Sequence, residues 1–341
     1  MVVANFAIGK PWANVATPIL TAYTSIIAIL VGGLDMVAAP FGVGLLSPAL
    51  GAQGRFALDA GFIVTGVAAG GFAFRPIRRD VAAFVPIDAD NPVHALALAL
   101  ATVFFGTQVT FLAFTDVLAA DRASPPLSIL DLFWNETPFL ILGLAGVGLF
   151  MRRRVGEAAA RLGFVVPLWW QIALALAGAG AFFALASGSD ALSHAWSPDI
   201  ARNVDATTQH LFGQLTDPIG IAAVALVPGI CEELLFRGAL QPRIGLVATA
   251  LLFTAIHTQY GLSFDTAAIF LIAVGLGLIR KYLNTTASCT CHVSYNLLAG
   301  IGIAGTAVGP ALAVELLLVL AAFAGIRASR RRAAAAAANP S

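Results

Sequence analysis

Charge is what this sequence is poorest in. Only 11% of its 341 residues are Asp, Glu, Lys or Arg, against about 25% in an ordinary soluble domain, while 59% are hydrophobic and the mean hydropathy is +0.88. Such a chain has too little polar surface to face water on all sides, so the lipid bilayer is its first expected partner. A net charge of +1 offers no basic face for a polyanion, and no nucleic-acid partner is expected. Cysteine is scarce as well. Cys231, Cys289 and Cys291 lie in or beside apolar stretches and make no even, spaced set, which argues against a disulfide framework and for reduced thiols. No repeat of fixed period is visible. The one low-complexity stretch, the Arg-rich and polyalanine tail from Arg330, is expected to be cytosolic and weakly ordered. The first apolar run, from near Pro18, reads straight into Asp35 and Met36 with one upstream Lys10 and no processing site, so a cleaved signal peptide is not expected.

What the chain has in quantity is apolar runs. They fall near 18–38, 57–74, 93–114, 133–151, 165–187, 218–240, 244–260, 264–280, 287–306 and 308–326, each close to the roughly 20 residues that cross a bilayer as helix. The reading is an all-α, multi-pass integral membrane protein of about ten spans. If odd spans leave the cytoplasm and even ones return, Arg75, Arg78, Arg79, Arg152, Arg153, Arg154, Arg237, Arg243, Arg280, Lys281, Arg327 and Arg330 all lie inside, as the positive-inside tendency requires. Asp116, Asp121, Asp190, Asp199 and Asp205 then mark the outer loops, and Arg55 and Arg122 break the pattern. Both termini are expected in the cytoplasm. Residues 35–56, with Asp35, Pro40, Pro48 and several glycines, fit either a kinked helix end or a re-entrant segment. The chain divides into an N-terminal region 1–217 of about five helices, a region 218–306 rich in intramembrane polar residues, and a final span with its tail, 307–341.

Those polar residues are the functional signal. An ionisable side chain at the bilayer centre costs about 2.5–3.5 kcal/mol on insertion scales, so it is normally turned toward a partner or a wet cavity. The span from 218 carries Cys231-Glu232-Glu233-Leu234-Leu235-Phe236-Arg237. Glu233 and Arg237 are four residues apart, on one face and in the order that favours an ion pair. Glu232, about 100° round the helix, must look to another helix. Phe253-Thr254-Ala255-Ile256-His257 and His292-Val293-Ser294-Tyr295-Asn296 follow on later spans, and His292 and Asn296 again share a face. Such groups suit peptide hydrolysis, with Glu232 as general base, His257 holding the same water or protonating the leaving amine, and His292 and Asn296 donating to an oxyanion.

Glu-Glu-x-x-x-Arg, Phe-x-x-x-His and His-x-x-x-Asn, in this order on separate apolar segments, resemble the CPBP family of CAAX proteases, bacteriocin-processing and Abi-like proteins, which includes the type II CAAX prenyl endopeptidases. The resemblance implies a glutamate-dependent intramembrane endopeptidase of a prokaryotic inner membrane. It further implies a conical polar cavity among the C-terminal helices, open to the cytosol. By motif, Glu232 and His257 would activate water, His292 and Asn296 would stabilise the oxyanion, Glu233 and Arg237 would support them, and Phe253 would shape the cavity. The substrate would be a membrane-associated peptide or protein, and no cofactor is expected.

Zinc held by Glu232, His257 and His292 is the alternative chemistry, but the chain lacks His-Glu-x-x-His, and Cys289 and Cys291 are spaced too closely for a usual zinc arm. Buried histidines, Asn296 bridging two helices and a structural Glu233–Arg237 pair are the plainer accounts of the same residues. A catalytically silent scaffold or immunity-type protein that binds a peptide is the alternative function. A secondary transporter is disfavoured because the ionisable cluster is confined to one third of the chain, without a counterpart in the other half. Asp35, Asp59 and Glu136 also fall in or near apolar spans, and the sequence assigns them no role.

Overall fold

The structure, a computed structural model, describes residues 1–46 and 50–338. Among these residues it is helical throughout, with no strand. Six helical stretches are long and apolar enough to cross a membrane: Ala13–Phe41, Ala52–Ala73, Pro92–Phe114, Trp169–Trp196, Pro218–Ile244 and Gly305–Arg332. The protein is therefore a multi-pass integral membrane protein.

In chain order the helices are α1 (Val2–Ala7), α2 (Ala13–Ala38), α3 (Ala52–Gly70), α4 (Arg75–Ala82), α5 (Pro92–Phe114), α6 (Val117–Ala123), α7 (Ile129–Val147), α8 (Val155–Leu162), α9 (Trp169–Trp196), α10 (Pro198–Phe212), α11 (Pro218–Glu232), α12 (Gln241–Ile244), α13 (Leu246–Ala255), α14 (Phe264–Tyr282), α15 (Thr285–Ile301) and α16 (Val308–Ala338). The expected run at 244–260 is only the ten-residue α13, and α11 continues through a π-helical segment, Glu233–Leu240, into α12. The runs expected at 133–151, 264–280 and 287–306 are also helices, namely α7, α14 and α15. They are diluted by Asp131 and Glu136, by Asp265, Arg280 and Lys281, and by Ser288, His292 and Asn296. Among the described residues, six helices rather than about ten thus meet the length and apolarity of a crossing; α13 and α15 are too short, and α7 and α14 are diluted by charge.

Packing joins α2, α3 and α5 at the N-terminal side, and α9 with α14, α15 and α16 at the other. Helix α7 packs on α11 and its π segment, and α5 packs on α13, so residues before 217 wall the C-terminal region directly. Near 35–56, α2 ends in a 3₁₀ turn, Ala39–Phe41, and Gly42 takes φ +80°, a left-handed turn that glycine enters without a Cβ penalty. The Asp35 carboxylate accepts the Leu45 and Leu46 backbone N–H groups beyond it. Pro48 and the last residues of the tail, 339–341, lie outside the described residues.

The two ends of the bundle differ in charge. Arg78 donates to the Phe72, Ala73 and Ala89 carbonyls at 2.7–2.9 Å, closing the C-terminal end of α3 as a cation should. Arg161 and Arg243 gather at the same end, with Arg153 and Arg280 beside Arg161. Asp190, Asp205 and Asp265 lie together at the opposite end.

Candidate active site

Two helices meet closely to make the site. At Gly229 an added Cβ would lie 2.7 Å from Val293 Cγ2, so glycine there is what lets α11 and α15 approach. One turn on, α11 passes into the π segment, whose i→i+5 bonds often mark functional positions, and Glu232 and Glu233 stand at the junction, both buried. On α15, Ser288, His292 and Asn296 recur every four residues, on one face turned to α11.

His292 bridges the two glutamates. Its Nδ1 is 3.1 Å from Glu233 Oε1 and its Nε2 is 3.8 Å from Glu232 Oε2. Adjacent helical carboxylates diverge, but the two ring nitrogens of one imidazole diverge as well, so a single side chain serves both. Glu233 pairs with Arg237 and Glu232 turns to another helix, α15, as the spacing predicts. Glu233 Oε1 is 3.6 Å from Arg237 Nε, and both glutamates reach the same residue of α15. Against a carboxylate, Nδ1 of His292 is the protonated nitrogen. Ser288 Oγ donates to Glu233 Oε2 and lies 3.0 Å from the Leu276 carbonyl. Its single proton goes to the charged acceptor, which makes the stronger bond. Glu233 is thus held by three groups, whereas Glu232 Oε2 has no hydrogen-bond partner among the described residues.

Phe253 is the hub behind them. Its ring centroid is 4.7 Å from that of His257, 5.7 Å from that of His292 and 5.4 Å from that of Phe236, and the Arg237 guanidinium lies 4.5 Å above it. Arg237 is fully buried, with Nη2 3.3 Å from the Ala273 carbonyl. It is an interior residue, not the loop charge that the topology count made of it. His257 follows the end of α13, in the turn that Gly261 at φ +57° closes. Its Nδ1 lies 2.8 Å from the Phe253 carbonyl, so Nδ1 carries the proton and Nε2 of the neutral ring is an acceptor. Asn296 does not join the cluster directly. Pro228 has no N–H to give to the carbonyl four residues back, and Asn296 Nδ2 meets that Val224 carbonyl at 3.5 Å.

Two further residues belong to the site that the sequence reading passed over. Ser288 could have been found from its four-residue spacing to His292. Glu136, on α7, gave no such local signal; its Oε2 is buried without a partner, and its carboxylate is within Coulombic range of Glu232. The cysteines are free. Cys291 packs in an apolar cluster with Ala175 and Leu276, and Cys289 Sγ contacts the Gly229 carbonyl at 3.3 Å. Among the described residues, the group that brings three potential metal ligands within 4.8 Å of one another is the exposed set Asp190, His194 and Asp205; Glu232, His257 and His292 do not meet at that spacing.

A cavity of about 520 Å³ lies at the acidic end of the bundle, lined by Asp190, Asp205 and Asp265 and not by the glutamates or histidines of the cluster. Tyr260, stacked 6.4 Å from His257, and Tyr295, between His292 and Asn296 in sequence, also line it.

Residues 214–298 match the family described as Type II CAAX prenyl endopeptidase Rce1-like. Over this stretch the chain is similar to the type II CAAX prenyl endopeptidases. The match spans about a quarter of the chain and contains Glu232, Glu233, Arg237, Phe253, His257, His292 and Asn296. No curated protein and no solved structure matches the chain. The matched segment runs from just before α11 into α15, so it holds Glu232, Glu233, His257 and His292. Ser288 falls within it, and Glu136 lies outside it.

Proposed function

We propose that this protein is an intramembrane endopeptidase that cleaves a membrane-associated peptide or protein with water activated by Glu232, without a metal. The observation that carries the reading is His292 held between Glu232 and Glu233. A structural pair needs only two partners, whereas here a carboxylate is left free beside an oriented imidazole, as the chemistry requires. Glu232 takes a proton from water as the oxygen attacks the peptide carbonyl. The C–N bond then breaks and the proton passes to the leaving amine. His257, with Nε2 as its acceptor, holds the same water and relays that proton.

His292 and Asn296 donate to the oxyanion in this scheme. Donating from Nε2 while Nδ1–H stays with Glu233 requires the imidazolium. Glu232, Glu233, Arg237 and that imidazolium then sum to no net charge, so the site carries no excess charge in low dielectric. Asn296 must leave the long Val224 contact to reach an oxyanion, or it acts only as the tie between the helices. Glu233 and Ser288 position His292. The bilayer of a prokaryotic inner membrane is the proposed location.

The test compares wild-type and Glu232→Gln protein in liposomes against a quenched peptide library, with and without a strong chelator, with mass spectrometry to place the cuts. Cleavage by the wild type that survives the chelator and disappears in the variant is the expected result. Equal cleavage by both proteins removes Glu232 from the mechanism. No cleavage by either well-folded protein favours a scaffold that binds peptide without cutting it.

A further inference from the structure

A second cavity, of about 470 Å³, lies at the basic end of the bundle, between α5, α7 and the π segment. Its volume is that of a small-molecule pocket. Its body is apolar, walled by Leu98, Phe104, Phe139, Leu142, Phe236 and Leu252. Four guanidiniums also line it: Arg152 and Arg153 from the loop after α7, Arg161 from α8 and Arg243 from α12. Among the described residues no Asp or Glu lines it, and none of the four forms an ion pair with a carboxylate.

What the arginines do touch is neutral. Arg152 Nε donates to Asn5 Oδ1 at 2.9 Å, Arg161 to the Gly238 carbonyl at 3.3 Å, Arg243 to the Pro86 carbonyl at 3.4 Å, and Arg153 to the Val147 carbonyl. The Nε of Arg243 is buried with no partner. Burial, with Arg243, Arg153 and Arg280 as like-charged neighbours, draws the Arg161 guanidinium down to about 10. Four like charges collected in one lining without a counter-charge repel one another, and only an anion from outside the described chain balances them. An anion alone would leave the apolar body empty, and a hydrocarbon alone would leave the arginines unmatched.

We infer that this cavity binds an anionic glycerophospholipid, with its phosphate among Arg152, Arg153, Arg161 and Arg243 and one acyl chain between α5 and α7. Basic pockets between membrane helices at a cytoplasmic face are suited to such head groups. Phosphate geometry also favours the planar, multi-donor guanidinium over lysine. The wall it would touch includes Leu235, Phe236, Ala239 and Leu240 of the π segment, which carries Glu233 and Arg237 on its other side. Phe236 in turn meets Phe253 edge-on at 79°. The lipid would therefore brace the helix that holds Glu232 and Glu233 without touching them.

The inference stands apart from the peptidase reading, and its test uses no activity. Delipidated full-length protein in detergent is titrated with dioleoyl phosphatidylglycerol, dioleoyl phosphatidylcholine or glycerol 3-phosphate, and read by native mass spectrometry and thermal melting. Phosphatidylglycerol should bind one to one and raise Tm by several degrees, and the other two should do neither. Arg161→Gln/Arg243→Gln should weaken retention by about tenfold or more, at roughly 1 kcal/mol for each basic group near an anionic head. Ala101→Phe, which fills the apolar body, should displace the lipid with all four arginines intact. If the arginine variant does not fold, Ala101→Phe decides alone. Equal binding of phosphatidylcholine, an equal shift from glycerol 3-phosphate, or undiminished retention by Ala101→Phe would overturn the inference.

Discussion

Asn296 on α15 takes up the Val224 carbonyl that Pro228 leaves without a helical donor. A proline inside a helix removes one i→i−4 bond, and an unmet carbonyl in a membrane interior is costly. The motif asparagine therefore has a structural duty whatever else it does. Asn296→Ala should lower Tm by about 1–2 °C, the shift expected for roughly 1 kcal/mol in a chain of this size. Adding Pro228→Ala, which supplies a backbone N–H, should recover most of that loss. Kinetics then separates the roles: a fall of about 10²–10³ in kcat that Pro228→Ala does not repair marks a donor to the reacting carbonyl. Full repair of both leaves Asn296 as a tie between helices.

Ser288→Ala removes the hydroxyl that donates to Glu233. The lost bond to a buried charge should cost about 1–3 kcal/mol. With Glu233 less firmly placed, His292 should lose alignment and kcat should fall about tenfold at unchanged KM. Steady-state kinetics on Ser288→Ala and Ser288→Thr checks this. Retained kcat in the alanine variant means that Glu233 is held well enough by Arg237 and His292.

Gly229→Ala places a Cβ where Val293 already sits, at 2.7 Å. The helices must separate, and misplacing reacting groups by about 1 Å can cost about 10²-fold in rate. Gly229→Ala should therefore lose activity far out of proportion to its change in Tm, and Val293→Ala in the same chain should restore much of it. Failure of the second substitution to rescue would mean that the approach of α11 to α15 does not set the geometry of Glu232 and His292.

Glu136 is the carboxylate that the family segment does not contain. Like charges held in low dielectric destabilise each other, so Glu136→Gln should raise Tm by a few degrees while preserving the fold. Turnover should fall, because the variant changes the field in which Glu232 accepts its proton. A lower Tm would instead show that Glu136 is held by a stabilising bond that glutamine cannot reproduce.

Much of the site was legible before any coordinates. Glu233 with Arg237, and His292 with Asn296, follow from four-residue spacing, because an α-helix sets which neighbours share a face. Ser288, four residues before His292, obeys the same rule. The count of spans was not legible, since apolar runs show where helices form but not which polar interruptions the tertiary interior absorbs. The 244–260 run resolves into a helix only ten residues long and a turn that carries His257.

Composition and covalent spacing along one chain are enough to set the class of solvent, the helical content and the polar types available for chemistry. Helix packing alone joins one imidazole to both glutamates, brings Asn296 to the Val224 carbonyl 72 residues away that Pro228 leaves free, sets Glu136 of α7 near Glu232, and gathers four arginines round one apolar cavity. Those contacts arise where separate helices pack, and the closeness of each pair of helices is set by small residues such as Gly229 that carry no chemistry of their own.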